Sequence, residues 1–217
     1  MSYSCAYFKT PEDTLEQAQL QKIDHILKKL CLLPGETLLD IGSGWGWLII
    51  EAARQYGVRA TGITVSKEQY EKTRERIEEM GLTGKVDVFQ MDYRELAKTG
   101  RKFDKVVSVG MFEHVGRANI PVYMGAVADL LQPCGLSLLH TITHTKEGPV
   151  NPWINKYIFP NGYIPSLREV VWLLPDYDFH LIDIESLRLH YAMTLDRWAE
   201  NFERNVQTVR EKYDERF

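Results

Sequence analysis

Residues 37–46 read TLLDIGSGWG: five residues of strand character, Thr37 to Ile41, run without a break into Gly42, Ser43, Gly44, Trp45 and Gly46. Trp47 to Tyr56 then has helical spacing, with Leu48, Ile49, Ala52 and Ala53 on one side. A strand, a glycine turn and a helix in that order let the backbone turn tightly and approach a ligand at the carboxyl end of the strand. Asp40 adds an acid at that strand end. The Gly-x-Gly-x-x-Gly spacing that sets a dinucleotide on a helix N-terminus does not stand here, although a nucleotide cofactor and a ligand-free turn both stay open on this stretch alone.

Outward from the turn the alternation continues. Thr14 to Leu32 upstream reads as a helix with Leu15, Ala18, Ile23, Ile26, Leu27 and Leu30 at helical spacing. Downstream come a strand over Val58 to Val65, a helix over Ser66 to Met80 and a strand over Val86 to Gln90. A fourth strand (Phe103 to Gly110), a helix (Val122 to Leu131) and a fifth strand (Gly135 to Thr143) follow. Strands alternating with helices predict an α/β fold, a doubly wound and mostly parallel sheet. Residues 144–166 break the pattern with Pro149, Pro152, Pro160 and Pro165 among Trp153, Tyr157, Phe159 and Tyr163, which reads as an aromatic lid. A helix (Leu167 to Leu174), a strand (Phe179 to Leu187) and a charged helix (Thr194 to Phe217) complete the reading.

With 217 residues, 44% of them apolar, the chain is long enough for one full core, so a single domain over 1–217 is expected. A formal charge of -4 argues against nucleic acid as a partner, since no basic stripe faces phosphates. Cys5, Cys31 and Cys134 are odd in number and lack metal or disulfide spacing, so no metal is expected and the setting reads as cytoplasmic. The apolar runs fall short of the roughly 20 residues needed to cross a bilayer, which leaves only peripheral contact with the inner face of a membrane.

Several polar residues stand where strand ends collect ligands. Thr64 ends the second strand where nucleoside-binding folds often carry an acid, and Gln69 one helical turn on could take that contact. Asp92 follows the third strand with Tyr93 beside it; it reads equally as an acceptor for an adenine amino group or as a solvated loop acid. Glu113 and His114 follow the fourth strand, and His140 and Ile142 lie near the end of the fifth. A polar side chain in an apolar strand must find partners, so His140 is either a satisfied core histidine or part of a site with Glu113. His114 reads as structural.

Seven stretches in order make a pattern: YSCAYF (Tyr3 to Phe8), LLDIGSGWG (Leu38 to Gly46), GITVSKEQ (Gly62 to Gln69), SVGMFEHVG (Ser108 to Gly116), LLHTIT (Leu138 to Thr143), WINKYIFPNGYIPS (Trp153 to Ser166) and HYAMTLDRW (His190 to Trp198). Together they resemble the cyclopropane-fatty-acid and mycolic-acid synthases, and the glycine loop resembles that of class I S-adenosylmethionine-dependent methyltransferases. The resemblance implies a Rossmann-like fold and an enzyme that adds the sulfonium methyl carbon to a cis double bond of a phospholipid acyl chain, closing a cyclopropane ring. It implies that Tyr3, Ser4, Asp40, Gly42, Ser43, Gly44, Trp45, Gly46, Thr64, Ser66, Gln69, Asp92 and Tyr93 line S-adenosylmethionine. It also implies that Cys5, Glu113, His140, the Ile142 backbone and Tyr191 hold a bicarbonate that takes the released proton. Thiol, imidazole, phenol and amide groups suit a small anion.

Members of that family continue past position 217 with a helix and a strand antiparallel to the fifth, so the sheet is expected to lack that last strand. An exposed edge would result unless a second copy covers it as a homodimer. Ser43 stands where the family often has Cys. Two further functions stay open: methyl transfer to another small or lipid acceptor, and a shortened chain that binds cofactor or lipid without turnover.

Overall fold

The computed structural model describes residues 2–213. They fall into two compact units, residues 26–184 and residues 3–25 with the chain from Glu185 onward.

The larger unit is built on five parallel strands, β1 (Thr37–Ile41), β2 (Arg59–Thr64), β3 (Val86–Gln90), β4 (Phe103–Val109) and β5 (Leu131–His140), ordered β3-β2-β1-β4-β5. β1 and β2 are buried almost throughout, because helices pack on a parallel sheet and leave little alternation between a wet and a dry face. Leu39, Ile41, Ile63, Phe103 and Val106 join Phe112, Ile120, Tyr123, Met124, Val127 and Leu130 in one core cluster. At roughly 1.5–3 kcal/mol per fully buried large apolar side chain, that cluster is the main favourable term holding the sheet. The connecting helices are α2 (Trp47–Tyr56), α3 (Lys67–Glu79), α4 (Tyr93–Ala97) and α5 (Ile120–Leu130). β1 neighbours both β2 and β4, so the chain reverses its winding direction at the carboxyl end of β1, where such sheets open a ligand crevice.

The turn after β1 occupies that point. Gly42, Gly44 and Gly46 have φ of 82°, 55° and 82°, and Gly42 and Ser43 donate their N–H groups to the Ile63 carbonyl at 3.0 and 2.9 Å. A methyl group on Gly46 would lie 2.3 Å from Thr73 Cγ2, and one on Gly42 would lie 2.7 Å from Met111 Cγ, whereas one on Gly44 would meet nothing within 4 Å. Two of the three glycines are thus required by packing as well as conformation.

β5 is longer than expected at its start: Leu131 pairs with Phe103, then the register shifts, and regular pairing resumes at Leu136 opposite Lys105. The intervening bulge carries Cys134 at φ 62°. Residues 144–166 are an irregular excursion containing one short helix, α6 (Pro152–Tyr157), which the proline-rich reading did not foresee. After it come α7 (Leu167–Leu173) and a 3-10 turn. The strand expected over Phe179 to Leu187 does not form. Its apolar residues have a strand's composition, but among the described residues no neighbouring strand pairs with them, and Leu181, Ile182 and Ile184 are 50%, 78% and 51% exposed. A strand exists only by its ladder, so composition alone could not make one. No strand of the described sheet is antiparallel.

In the smaller unit, α8 (Arg188–Lys212) begins six residues before the expected Thr194, and the end of that predicted helix lies outside the described residues. α1 (Leu15–Lys29) contributes its residues up to His25. Ala6, Phe8 and Ala18 form a small apolar cluster with Leu15 and Met193. Among the described residues, no helix is long and apolar enough to cross a membrane and no cluster of His, Cys, Asp and Glu could hold a metal.

Chemical denaturation should separate the glycines. Gly44→Ala is expected to lose only the cost of a left-handed side chain, roughly 1–2 kcal/mol. Gly46→Ala adds overpacking against Thr73 and should lose about 2–5 kcal/mol in all. Equal losses would show that the contact with Thr73 is not limiting.

Candidate active site

The walls of the crevice come from five strand ends. Asp40, at the end of β1, is buried at 3% exposure. Thr73 Oγ1 donates to the Gly44 carbonyl at 3.3 Å, and Arg76 Nη1 donates to the Trp45 carbonyl at 2.7 Å while its guanidinium lies over the Trp47 ring. α3 therefore grips the loop that the glycines shape. At the end of β2, Thr64 Oγ1 donates to Gln69 Oε1 at 2.7 Å and accepts from Ser66 N–H at 3.2 Å, while Ser66 Oγ caps α3 by accepting from Gln69 N–H. Thr64, Ser66 and Gln69 are thus one connected group.

Asp92 is engaged within its own turn. It caps α4 by accepting from Arg94 N–H at 2.8 Å, and both its oxygens accept from the Arg94 guanidinium at 2.8 Å. The Arg94 side chain, more than any other cause, holds its carboxyl below the usual aspartate range. Tyr93 is half-buried, its ring edge-on to Tyr123 at 5.4 Å, and burial raises its phenol. Arg94 was missed because adjacency in sequence gives no sign of a guanidinium folding back on its own cap.

Glu113 lies in a 3-10 turn, Phe112–His114, just after β4 and two residues beyond the Met111 that packs on Gly42. It is 7% exposed. Oε1 accepts from the Ile142 N–H at 2.8 Å, whereas Oε2 is buried without a hydrogen-bond partner among the described residues. The Ile142 amide, expected to face an anion, is thus already engaged by Glu113. His140 ends β5, its carbonyl accepting from Gly110 N–H at 2.9 Å. His114 stacks edge-on with Phe159 at 5.4 Å, in keeping with a structural role.

Beside Glu113 opens an apolar cleft lined by Ile142, Val150, Ile154, Phe159, Gly162, Tyr163 and Ile164. Residues 144–166 supply most of it. The excursion is fastened at its base: His144 N–H donates to the Pro165 carbonyl at 2.8 Å, Ser166 Oγ donates to Glu147 Oε1 at 2.6 Å, and Arg168 pairs with Glu147. Arg168 first, then Ser166, pulls the Glu147 carboxyl down to about 2. Tyr163 N–H donates to the Glu113 carbonyl at 2.8 Å, which joins the cleft wall to the acid.

The remaining expected residues belong to the smaller unit. Tyr3 is 62% exposed. Ser4 Oγ accepts from Lys22 Nζ at 2.8 Å and its carbonyl accepts from Gln19 Nε2 at 2.9 Å. Lys22, buried on α1 beside the buried Gln19, was not anticipated, although a lysine four residues after Ala18 was a readable sign. Cys5 is 2% exposed, and burial, against smaller opposing effects of Thr194 and Lys22, pushes its thiol up to about 11. Tyr191 sits in the first turn of α8, edge-on to Trp198.

A sequence-family model described as mycolic acid cyclopropane synthetase matches residues 1–217. A probable fatty acid methyltransferase of Pseudomonas putida is 47% identical, over 95% of this chain and 54% of its own length. The cyclopropane-fatty-acyl-phospholipid synthase of Escherichia coli K12 is 43% identical, over 100% of this chain and 55% of its own. The chain thus spans about half the length of these two relatives. The crystal structure of mycolic acid cyclopropane synthase CmaA1 complexed with SAH and CTAB superposes with a TM-score of 0.90 at 33% identity, over 99% of this chain and 79% of that one. With its glycine loop, its sheet order and the whole of its sequence matched, the chain belongs to the mycolic acid cyclopropane synthetase family.

Proposed function

We propose that this chain uses S-adenosylmethionine to convert a cis double bond of a phospholipid acyl chain into a cyclopropane ring. The observation that carries this reading is the orphaned Glu113 Oε2, a buried acceptor beside an apolar cleft at the crevice of a glycine-loop fold. An unpaired buried carboxylate oxygen costs stability and persists where function needs it. The relative crystallised with SAH and the amphiphile CTAB supports both halves of the proposal.

The crevice suits the cofactor: Gly44 faces open space, and the linked Thr64, Ser66 and Gln69 offer hydroxyl and amide groups at the end of β2. Tyr3, Ser4, Asp40, Trp45, Asp92 and Tyr93 complete the set in the family pattern. S-adenosylmethionine, when bound, supplies an electrophilic methyl carbon. An alkene is a weak nucleophile, so the chain's own task is to exclude water and hold the carbons in line, which the cleft over Ile154, Phe159 and Ile164 favours. Ring closure joins the transferred carbon to the alkene carbon left cationic and releases one proton from that transferred methyl group. Glu113 Oε2 can accept a hydrogen bond from a small protonated anion there, and His140 lies on the neighbouring strand end. Bicarbonate, which would supply a base, fits that acceptor, while the Ile142 amide would reach it only by leaving Glu113. Cys5 and Tyr191 add a thiol and a phenol in the family pattern, and the raised Cys5 makes it a hydrogen-bond donor rather than a thiolate.

Lipid would enter from a membrane surface. Trp153, Tyr157 and Ile158, on and just after α6, are 61%, 60% and 49% exposed, with Lys156 over the Tyr157 ring. Aromatic rings with a cation suit the interface of a bilayer.

Vesicles of cis-unsaturated phospholipid with S-adenosylmethionine and bicarbonate should yield acyl chains heavier by one CH₂ and resistant to ozonolysis. A heavier chain that ozone still cleaves would mean a methyl branch, and no gain would overturn the reading. Glu113→Gln should lower the rate at least about a hundredfold and leave S-adenosylhomocysteine binding intact. In the native protein at pH 8, Cys5 should alkylate roughly two orders of magnitude more slowly than an ordinary exposed thiol, with Cys31 and Cys134 labelled first. Fast labelling of Cys5 would show a thiolate instead.

A further inference from the structure

Residues 5–9 form a strap between α1 and α8, and the peptide N–H groups of Ala6 to Lys9 are taken up one by one. Ala6 N–H donates to Thr194 Oγ1 at 3.0 Å, Tyr7 N–H to the Ala18 carbonyl at 3.0 Å, and Phe8 N–H to His190 Nδ1 at 3.0 Å. Lys9 N–H donates to Asp13 Oδ2 and Gln21 Oε1 at 2.8 and 3.0 Å. Four of these five acceptors keep their lone pairs across the neutral pH range. The exception is the imidazole: Nδ1 can accept from Phe8 only while it carries no proton, which places the ring hydrogen on Nε2.

The ring is also stacked. Tyr7 lies between His190 and His25, with centroids 4.5 and 4.1 Å away and planes within 16°. His25 Nε2 lies 2.7 Å from Glu185 Oε2. Facing His190 are therefore the Tyr7 phenol on the strap, His25 on α1 and Glu185 ahead of α8; Lys9 and Asp24, on the strap and α1, pair with each other at 3.9 Å. Burial chiefly, with His25 adding to it and Glu185 opposing, holds the His190 imidazole below its ordinary value. A histidine lowered in this way gives stability that is present above the ordinary imidazole range, about 6.5, and is lost as the pH falls through the folded value.

We propose that His190 is a positioning residue whose neutral imidazole, by accepting the Phe8 amide, holds in place the segment that carries Tyr3, Ser4 and Cys5, and that a proton on Nδ1 releases it. The part of this that concerns the cofactor rests on the function proposed above. No substrate or cofactor touches His190 for the device to work. It makes the N-terminal ligand segment sensitive to acid while the glycine loop is not.

Hydrogen exchange of the Phe8 amide, followed from pH 7.5 to 5.5 and corrected for the intrinsic rate, tests the strap directly. Protection should fall by up to about tenfold per pH unit in the native chain. His190→Asn keeps an acceptor near the position of Nδ1 but cannot be protonated, so its Phe8 amide should stay protected throughout. His190→Leu should lose that protection at every pH, and His25→Gln should keep a loss of protection with falling pH, displaced towards higher pH. A native amide as insensitive to pH as that of His190→Asn, or a profile that vanishes in His25→Gln, would overturn the proposal. Calorimetry with S-adenosylhomocysteine should show affinity falling in parallel in the native chain and flat in His190→Asn. Absence of binding at pH 7.5 would overturn the cofactor reading alone, because the exchange result stands without it.

Discussion

Between Gly46 and Thr73, and between Gly42 and Met111, there is room for a hydrogen atom and nothing larger. That constraint lets the end of β1 sit flush against α3 on one side and against the turn after β4 on the other. The carbonyls of Gly44 and Trp45 then come within reach of Thr73 and Arg76, and the Ile63 carbonyl can take two loop amides at once. Met111, pressed on Gly42, leads directly into the turn that buries Glu113. The position of the acid thus follows from the absence of two side chains.

Glu113 is the point where packing and chemistry are least reconciled. One oxygen is satisfied by the Ile142 amide, its own carbonyl by Tyr163, and the second oxygen is left dry beside apolar walls. Low local dielectric makes such an acceptor costly, and equally makes any donor placed against it strongly held. The aromatic excursion that closes the cleft is tied down by charge at its base, through Glu147 and Arg168, and not by a large apolar core of its own. Its outer residues consequently stay exposed.

The smaller unit works by different physics. Its apolar cluster is slight, with three fully buried members, so the strap over residues 5–9 depends on hydrogen bonds to side chains of α8 and on the Tyr7 stack. Bonds of about 1 kcal/mol each hold a segment only when several act together. One protonatable acceptor among them is enough to make the whole set conditional.

The primary sequence by itself determined the alternation of strand and helix and the glycine turn, because each depends on local conformation or on periods of 2 and 3.6 that can be read from a single chain. The bonds that join Thr64, Ser66 and Gln69 are equally local, since five residues and a helix cap connect them. Phe179 to Leu187 was misread because a strand's pattern does not contain its partner. The tertiary structure alone decided that Asp92 is claimed by Arg94, that the Ile142 amide is spent on Glu113, that Lys22 stands behind Ser4, and that His190 receives the Phe8 amide. The last three of these contacts join residues 18 to 182 positions apart, and which donor meets which acceptor across that distance is set by packing in three dimensions.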